Sequence, residues 1–134
     1  MKSSNWALLL ILVGIVCSLI ACREGCYVSF DRTSDGVPLV HLKEHSWSTK
    51  DGINITMAEV YHVADKREKP AWAIRTPDIS KPLPISTIIY GVLPSGFEEL
   101  SKPRPLISGE TYEVWVERPG MICKGTFIYS GKKE

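Results

Sequence analysis

Beyond residue 22 the chain holds no eleven-residue stretch of helical period, and its apolar positions alternate or cluster in short runs. From Tyr27 to Asp31, Val28 and Phe30 fall on the face that Cys26 begins. Leu39 to Trp47 is extended and partly alternating. Ile55 to Val63 is rich in β-branched and aromatic residues, and Ala71 to Thr76 places Trp72 and Ile74 on one face. Ile85 to Leu93 is apolar on both faces, which predicts a central strand. Thr111 to Glu117 sets Tyr112, Val114 and Val116 against Thr111, Glu113, Trp115 and Glu117. Cys123 to Tyr129 closes the set. Turn chemistry separates these runs: Asp35-Gly36, Asp51-Gly52, Pro94-Ser95-Gly96 and Pro119-Gly120, with Pro70, Pro77, Pro82 and Pro84 around the fourth run and Pro103 and Pro105 before the sixth. Seven short strands with turns about every ten residues predict an all-β, two-sheet antiparallel sandwich.

The first twenty-two residues follow another pattern. Lys2 gives a positive start, Trp6 to Cys17 is apolar except for Gly14, and the chain turns polar at Arg23 and Glu24. A basic start, a short apolar run and a small residue before the junction describe a secretory signal peptide. The run falls short of the roughly 20 apolar residues of a spanning helix. An uncleaved anchor helix is the alternative.

Leu19-Ile20-Ala21-Cys22 resembles the lipobox of bacterial lipoproteins. The resemblance implies cleavage after Ala21, a diacylglycerol on Cys22 and a further acyl chain, palmitate-like, on its new amino group. Cys17 fits the motif less well because bulky Val16 precedes it. One acyl chain anchors marginally, whereas two or three on one residue hold a domain at the bilayer. Gram-negative lipoproteins retained in the inner membrane carry an aspartate after the lipidated cysteine; Arg23 stands there, which leans towards the outer membrane. The expected organisation is a signal peptide over 1–21, a tether over 22–26 and a sandwich over 27–134.

If Cys17 leaves with the signal and Cys22 takes lipid, Cys26 and Cys123 remain as a pair in an oxidising compartment. A bond between them would join the first and last strands. Free thiols or a metal pair are the alternatives, but nothing nearby has ligand spacing.

Leu106 to Val116 is similar to the segment entering strand F of fibronectin type III and related immunoglobulin-like sandwiches. There a leucine, a glycine turn and a tyrosine precede an alternating strand. The resemblance implies that Tyr112, with Leu106 and Gly109, forms a corner between the sheets through a hydrogen bond from the tyrosine hydroxyl to upstream backbone. It also makes Trp72 the buried tryptophan of strand C. Transthyretin-like sandwiches fit the same pattern.

Charge narrows the partners. The 134 residues carry 16 basic and 15 acidic side chains, and one base, Lys2, lies in the signal, so the remainder is neutral. A neutral domain has little grip on phosphate backbones, which argues against nucleic acid. The candidate chemistry is sparse. His41 and His45 share parity, and with His62 they are candidate zinc ligands, but Lys43 between them opposes a cation and surface histidines are the expectation. Glu98-Glu99 reads as solvated charge on a loop, and Ala64 to Lys69 as an exposed turn. Ser108-Gly109 and Ser130-Gly131-Lys132 lack the flanks of a nucleophile elbow or a phosphate loop. Asn54-Ile55-Thr56 matches a glycosylation sequon that a bacterial lipoprotein would not use. Pro82-Leu83-Pro84 and Pro103-Arg104-Pro105 read as connectors rather than polyproline ligands. No metal, cofactor or catalytic residue is assigned.

The expectation is therefore a non-enzymatic, lipid-anchored sandwich facing the periplasm or exterior, an accessory subunit of a cell-envelope complex that meets the membrane through Cys22 and an envelope protein through its surface. A periplasmic inhibitor or immunity-type lipoprotein that blocks a secreted hydrolase is the alternative. An enzyme acting on peptidoglycan or lipid is a third. Trp115 is the expected partner surface. If Tyr112, Val114 and Val116 face the core, Trp115 faces outward between Glu113 and Glu117, and tryptophan is enriched at binding hot spots.

Overall fold

A computed structural model describes residues 26–65 and 68–131. The expected signal peptide, the lipid site Cys22 and the tether up to residue 25 lie outside the described residues, as do Lys66, Arg67 and Lys132.

The described residues are all-β. Ten strands follow in order: β1 (Tyr27–Arg32), β2 (Pro38–Lys43), β3 (Ile53–Ile55), β4 (Met57–His62), β5 (Trp72–Arg75), β6 (Leu83–Ile85), β7 (Thr87–Ile89), β8 (Glu98–Ser101), β9 (Thr111–Arg118) and β10 (Met121–Ile128). They form antiparallel sheets with the orders β1-β2-β7, β10-β9-β4-β5-β8 and β3-β6. The first two sheets share one core. Val40, Leu42 and Ile88 come from the smaller sheet, and Ala58, Val60, Trp72, Ile74, Tyr112, Val114 and Val116 from the larger. Each set lies on one parity of its strands, because side chains alternate across a pleated strand.

Ten strands stand where alternation predicted seven. Two expected strands are each divided. Thr56 breaks the run beginning at Ile55: its N–H bonds Glu117 O at 2.9 Å and its carbonyl accepts from Thr76 N at 2.8 Å, so β3 leaves to pair with β6 while β4 joins β9. Ser86 separates β6 from β7 in the same way, with its carbonyl accepting from Leu42 N. The Ile85–Leu93 segment is accordingly not a central strand. β7 is an edge of the three-stranded sheet, and Val92 and Leu93 lie exposed in the turn beyond it. Leu39 to Trp47 is shorter than expected, since β2 ends at Lys43 and His45 lies in the following loop. Pro84 sits in β6 opposite Asn54 rather than in a connector.

The tenth strand is β8. Glu98 and Glu99, expected on a loop, pair with β5, and both carboxylates are engaged. Trp72 Nε1–H donates to Glu99 Oε1 at 3.1 Å, and Glu98 lies 3.5 Å from Arg75 Nε. A buried indole N–H needs such a partner.

Two devices join the sheets. Cys26, immediately before β1, is disulfide-bonded to Cys123 in β10, with Cα atoms 5.4 Å apart. At the other end, aromatic rings run from β4 to β1: His62 stacks on Tyr112 at 5.0 Å, Tyr112 on Phe127 at 5.6 Å, and Phe127 meets Phe30 at 5.2 Å. Gly125 lies beneath this contact. A Cβ there would come within 2.8 Å of Phe30 Cζ and 3.0 Å of Val28 Cγ1.

Candidate functional site

The outer face of the larger sheet is built by three neighbouring strands. In β9, the parity that buries Tyr112, Val114 and Val116 turns Glu113, Trp115 and Glu117 outward. Pairing then surrounds Trp115. Lys124 of β10 lies opposite it on one side and Glu59 of β4 on the other. One row away, Glu113 stands between Thr126 and Tyr61. On the other side, Glu117 stands between Ile122 and Met57.

Trp115 is half-buried, and its neighbours account for that. Lys124 Nζ sits 3.9 Å from the indole centroid, and the Tyr61 ring meets the indole edge-on at 6.0 Å. Cation–π and edge-to-face contacts of this kind contribute on the order of 0.5–1.5 kcal/mol each and fix the ring. The carboxyl of Glu59 is held above its ordinary value. Burial is the main cause and the charge of Glu117 adds to it, while a hydrogen bond from Tyr61 opposes them. The face thus presents a fixed aromatic platform, one lysine and the half-buried carboxylates of Glu59 and Glu117, while Glu113 is buried, with Ile122 and Ile128 exposed along β10 beside it.

The corner residues lie at the start of β9. Ile107 N–H donates to Tyr112 Oη at 2.9 Å, and Tyr112 is 2% exposed. Gly109 takes a positive φ of 86°, a conformation that favours glycine, and its N–H donates to Tyr129 O. Leu106 packs against the core.

The histidines do not converge. His41 lies in β2 near Thr87, and His45 stacks on Trp47 at 4.6 Å. His62, expected at the surface, has a side chain only 13% exposed. Its Nε2 is 3.0 Å from Glu110 and its Nδ1 is 3.4 Å from Asp65. Among the described residues no group of three or more histidine, cysteine or acidic side chains is arranged to hold a metal.

Sequence reasoning picked out Trp115 but not Glu59, Tyr61 and Lys124. The parity of Glu59 and Tyr61 was legible in the Ile55–Val63 run. That β4 would lie beside β9 was not. Open clefts lie elsewhere among the described residues, and two are the larger. One, of about 440 Å3, is bordered by Glu44, Lys50, Asp51, Ser86 and Arg118. The other, of about 370 Å3, is bordered by His62, Asp65, Arg104 and Tyr112. No family model, curated protein or solved structure matches the chain.

Proposed function

We propose that this protein is a lipid-anchored, extracytoplasmic binding module, an accessory subunit of a bacterial envelope complex. On this reading Cys22 carries the lipid, and a sandwich of immunoglobulin-like plan displays the Trp115 face to an envelope protein. The strand orders β1-β2-β7 and β10-β9-β4-β5-β8, with a tyrosine corner entering β9, support that plan. The observation that carries the binding role is the Trp115 platform. A large ring fixed by Lys124 and Tyr61 on an outward sheet face costs little further ordering when a partner covers it. The disulfide supports the anchored role, because it fastens the end of β1 nearest Cys22 to the last strand of the larger sheet.

The test is site-specific photo-crosslinking in the native host. A crosslinker at Thr126, on the Trp115 face, should capture one envelope protein, and Trp115→Ala should abolish that capture while leaving the fold intact. A crosslinker at Asp31, on the outside of the smaller sheet, is the control. Equal capture from both positions would refute the binding face. Capture of a secreted hydrolase would replace the structural role with the inhibitor role. Mass spectrometry of the mature N-terminus decides the anchor separately.

A further inference from the structure

Four loops and chain ends meet at one end of the sandwich. Cys26 precedes β1, and Tyr27 pairs with Lys43, so the β2–β3 loop begins level with the start of β1 and runs beyond it. Met121 pairs with Arg118, and Cys123 is bonded to Cys26, so the β9–β10 turn lies at the same end. Met57 stands opposite both Glu117 and Arg75, which brings the β5–β6 connection there too. Arg118 Nη2 lies 3.7 Å from Glu44 Oε1 and ties the turn to the β2–β3 loop.

The tips of these loops are unusually apolar for solvent-exposed positions. Trp47 is 78% exposed, Ile79 is 73% exposed and Met121 is 52% exposed. The Trp47 indole stacks on His45 of the same loop at 4.6 Å and stays exposed. The acidic side chains of the β2–β3 loop and the β5–β6 connection are each ion-paired: Asp51 with Lys43 at 3.2 Å, Asp78 with Lys81 at 3.5 Å and Glu44 with Arg118. Lys50 makes no ion pair among the described residues. The end therefore offers apolar and aromatic tips beside a cation, with its negative charge neutralised locally.

We infer that this end of the domain docks on the headgroup layer of the bilayer, with Trp47 inserted at the interface and Ile79 and Met121 beside it. The inference rests on the proposal that Cys22 carries the lipid. Three residues lie between Cys22 and Cys26, and fully extended the four steps span at most about 13–14 Å. The headgroup layer itself is roughly 5–8 Å thick on each side. The β2–β3 loop projects past Cys26 at this end, so its tip lies within that reach of a bilayer holding the lipid. Tryptophan favours that boundary because its ring is apolar and its N–H still finds a polar partner. Phosphatidylglycerol headgroups would take Lys50. Docking at this end leaves the flank bearing Trp115 clear of the membrane and fixes the direction in which it faces.

The test uses the full protein, purified from membranes and reconstituted into phosphatidylethanolamine–phosphatidylglycerol vesicles whose acyl chains are brominated near the headgroup. Flotation with the vesicles reports the anchor, and quenching of tryptophan emission reports the docking. The expected result is flotation with a quenched, blue-shifted emission component that Trp47→Phe removes without loss of flotation. In the Trp47→Phe background, a reporter introduced by Asp35→Trp at the opposite end should show no quenching. Flotation without a Trp47-dependent quenched component would overturn the docking and leave the anchor standing. Failure to float would overturn both.

Discussion

Replacing Cys26 and Cys123 together by alanine removes the bond without leaving a thiol, and its cost follows from the loop it closes. The bonded residues are 97 apart, so the loop holds 98 counting both ends. Chain-entropy arithmetic gives about 16 cal/mol/K for a loop of that length, or about 4.7 kcal/mol at 25 °C. Both cysteines are buried, at 3% and 1% exposure, but alanine keeps most of their apolar volume, so the packing loss is the smaller part. A domain of this size has roughly 5–15 kcal/mol in total. The assay is urea unfolding followed by tryptophan fluorescence. At a slope of about 1–3 kcal/mol/M the midpoint should fall by roughly 1.6–4.7 M, and the slope should rise as the unfolded chain expands. Each single Cys→Ala variant, kept reduced, should lose nearly as much as the pair, because either substitution breaks the same bond. Packing losses at two sites would instead add. A loss below about 1 kcal/mol at unchanged slope, or additive single losses, would refute the reasoning.

Three further outcomes are expected. The Tyr90 hydroxyl lies 2.8 Å from Arg104 O and 3.1 Å from Ala71 O, and burial pushes its ionisation up to about 12. Its folded value lies above the ordinary value near 10, so its contribution is complete below pH 10 and is lost as pH rises towards 12. Tyr90→Phe should cost about 1 kcal/mol at pH 7 and flatten that alkaline loss in thermal melts; parallel curves would contradict this. Glu59 is also raised, so its protonated form favours the fold and its contribution fades as pH rises above its ordinary value of 4.5. Glu59→Gln should gain on the parent between pH 4 and 7 in urea midpoints, and a constant difference would count against it. Gly125→Ala should cost about 1–3 kcal/mol, because Phe30 is held against Phe127 and cannot easily yield to the new Cβ. A thermal midpoint equal to the parent's would contradict that packing.

Local chemistry was enough for the all-β class and the pairing of cysteines. Alternation in Thr111 to Glu117 places Tyr112, Val114 and Val116 inward, because a strand has only two faces and one must be dry. The expectation that Cys17 leaves with a signal and Cys22 takes lipid left Cys26 and Cys123 to pair with each other, against free thiols or a metal pair, and the bond between them is present. Where strands end was less legible. Thr56 and Ser86 interrupt apolar runs that read as continuous, since their backbone bonds are claimed by neighbours 61 and 44 residues away in sequence. Glu98 and Glu99 looked like loop charge because nothing local reveals Trp72 Nε1 or Arg75 as partners. His62 looked like a surface histidine for the same reason, until Asp65, Glu110 and Tyr112 closed around it. The surroundings of Trp115 are likewise a tertiary result. Sequence set the direction of the ring, but only the register of β10 and β4 against β9 put Lys124 over it and Glu59 beside it. Pairing energies depend on which strands become neighbours, and that choice is made by the whole core rather than by any one segment.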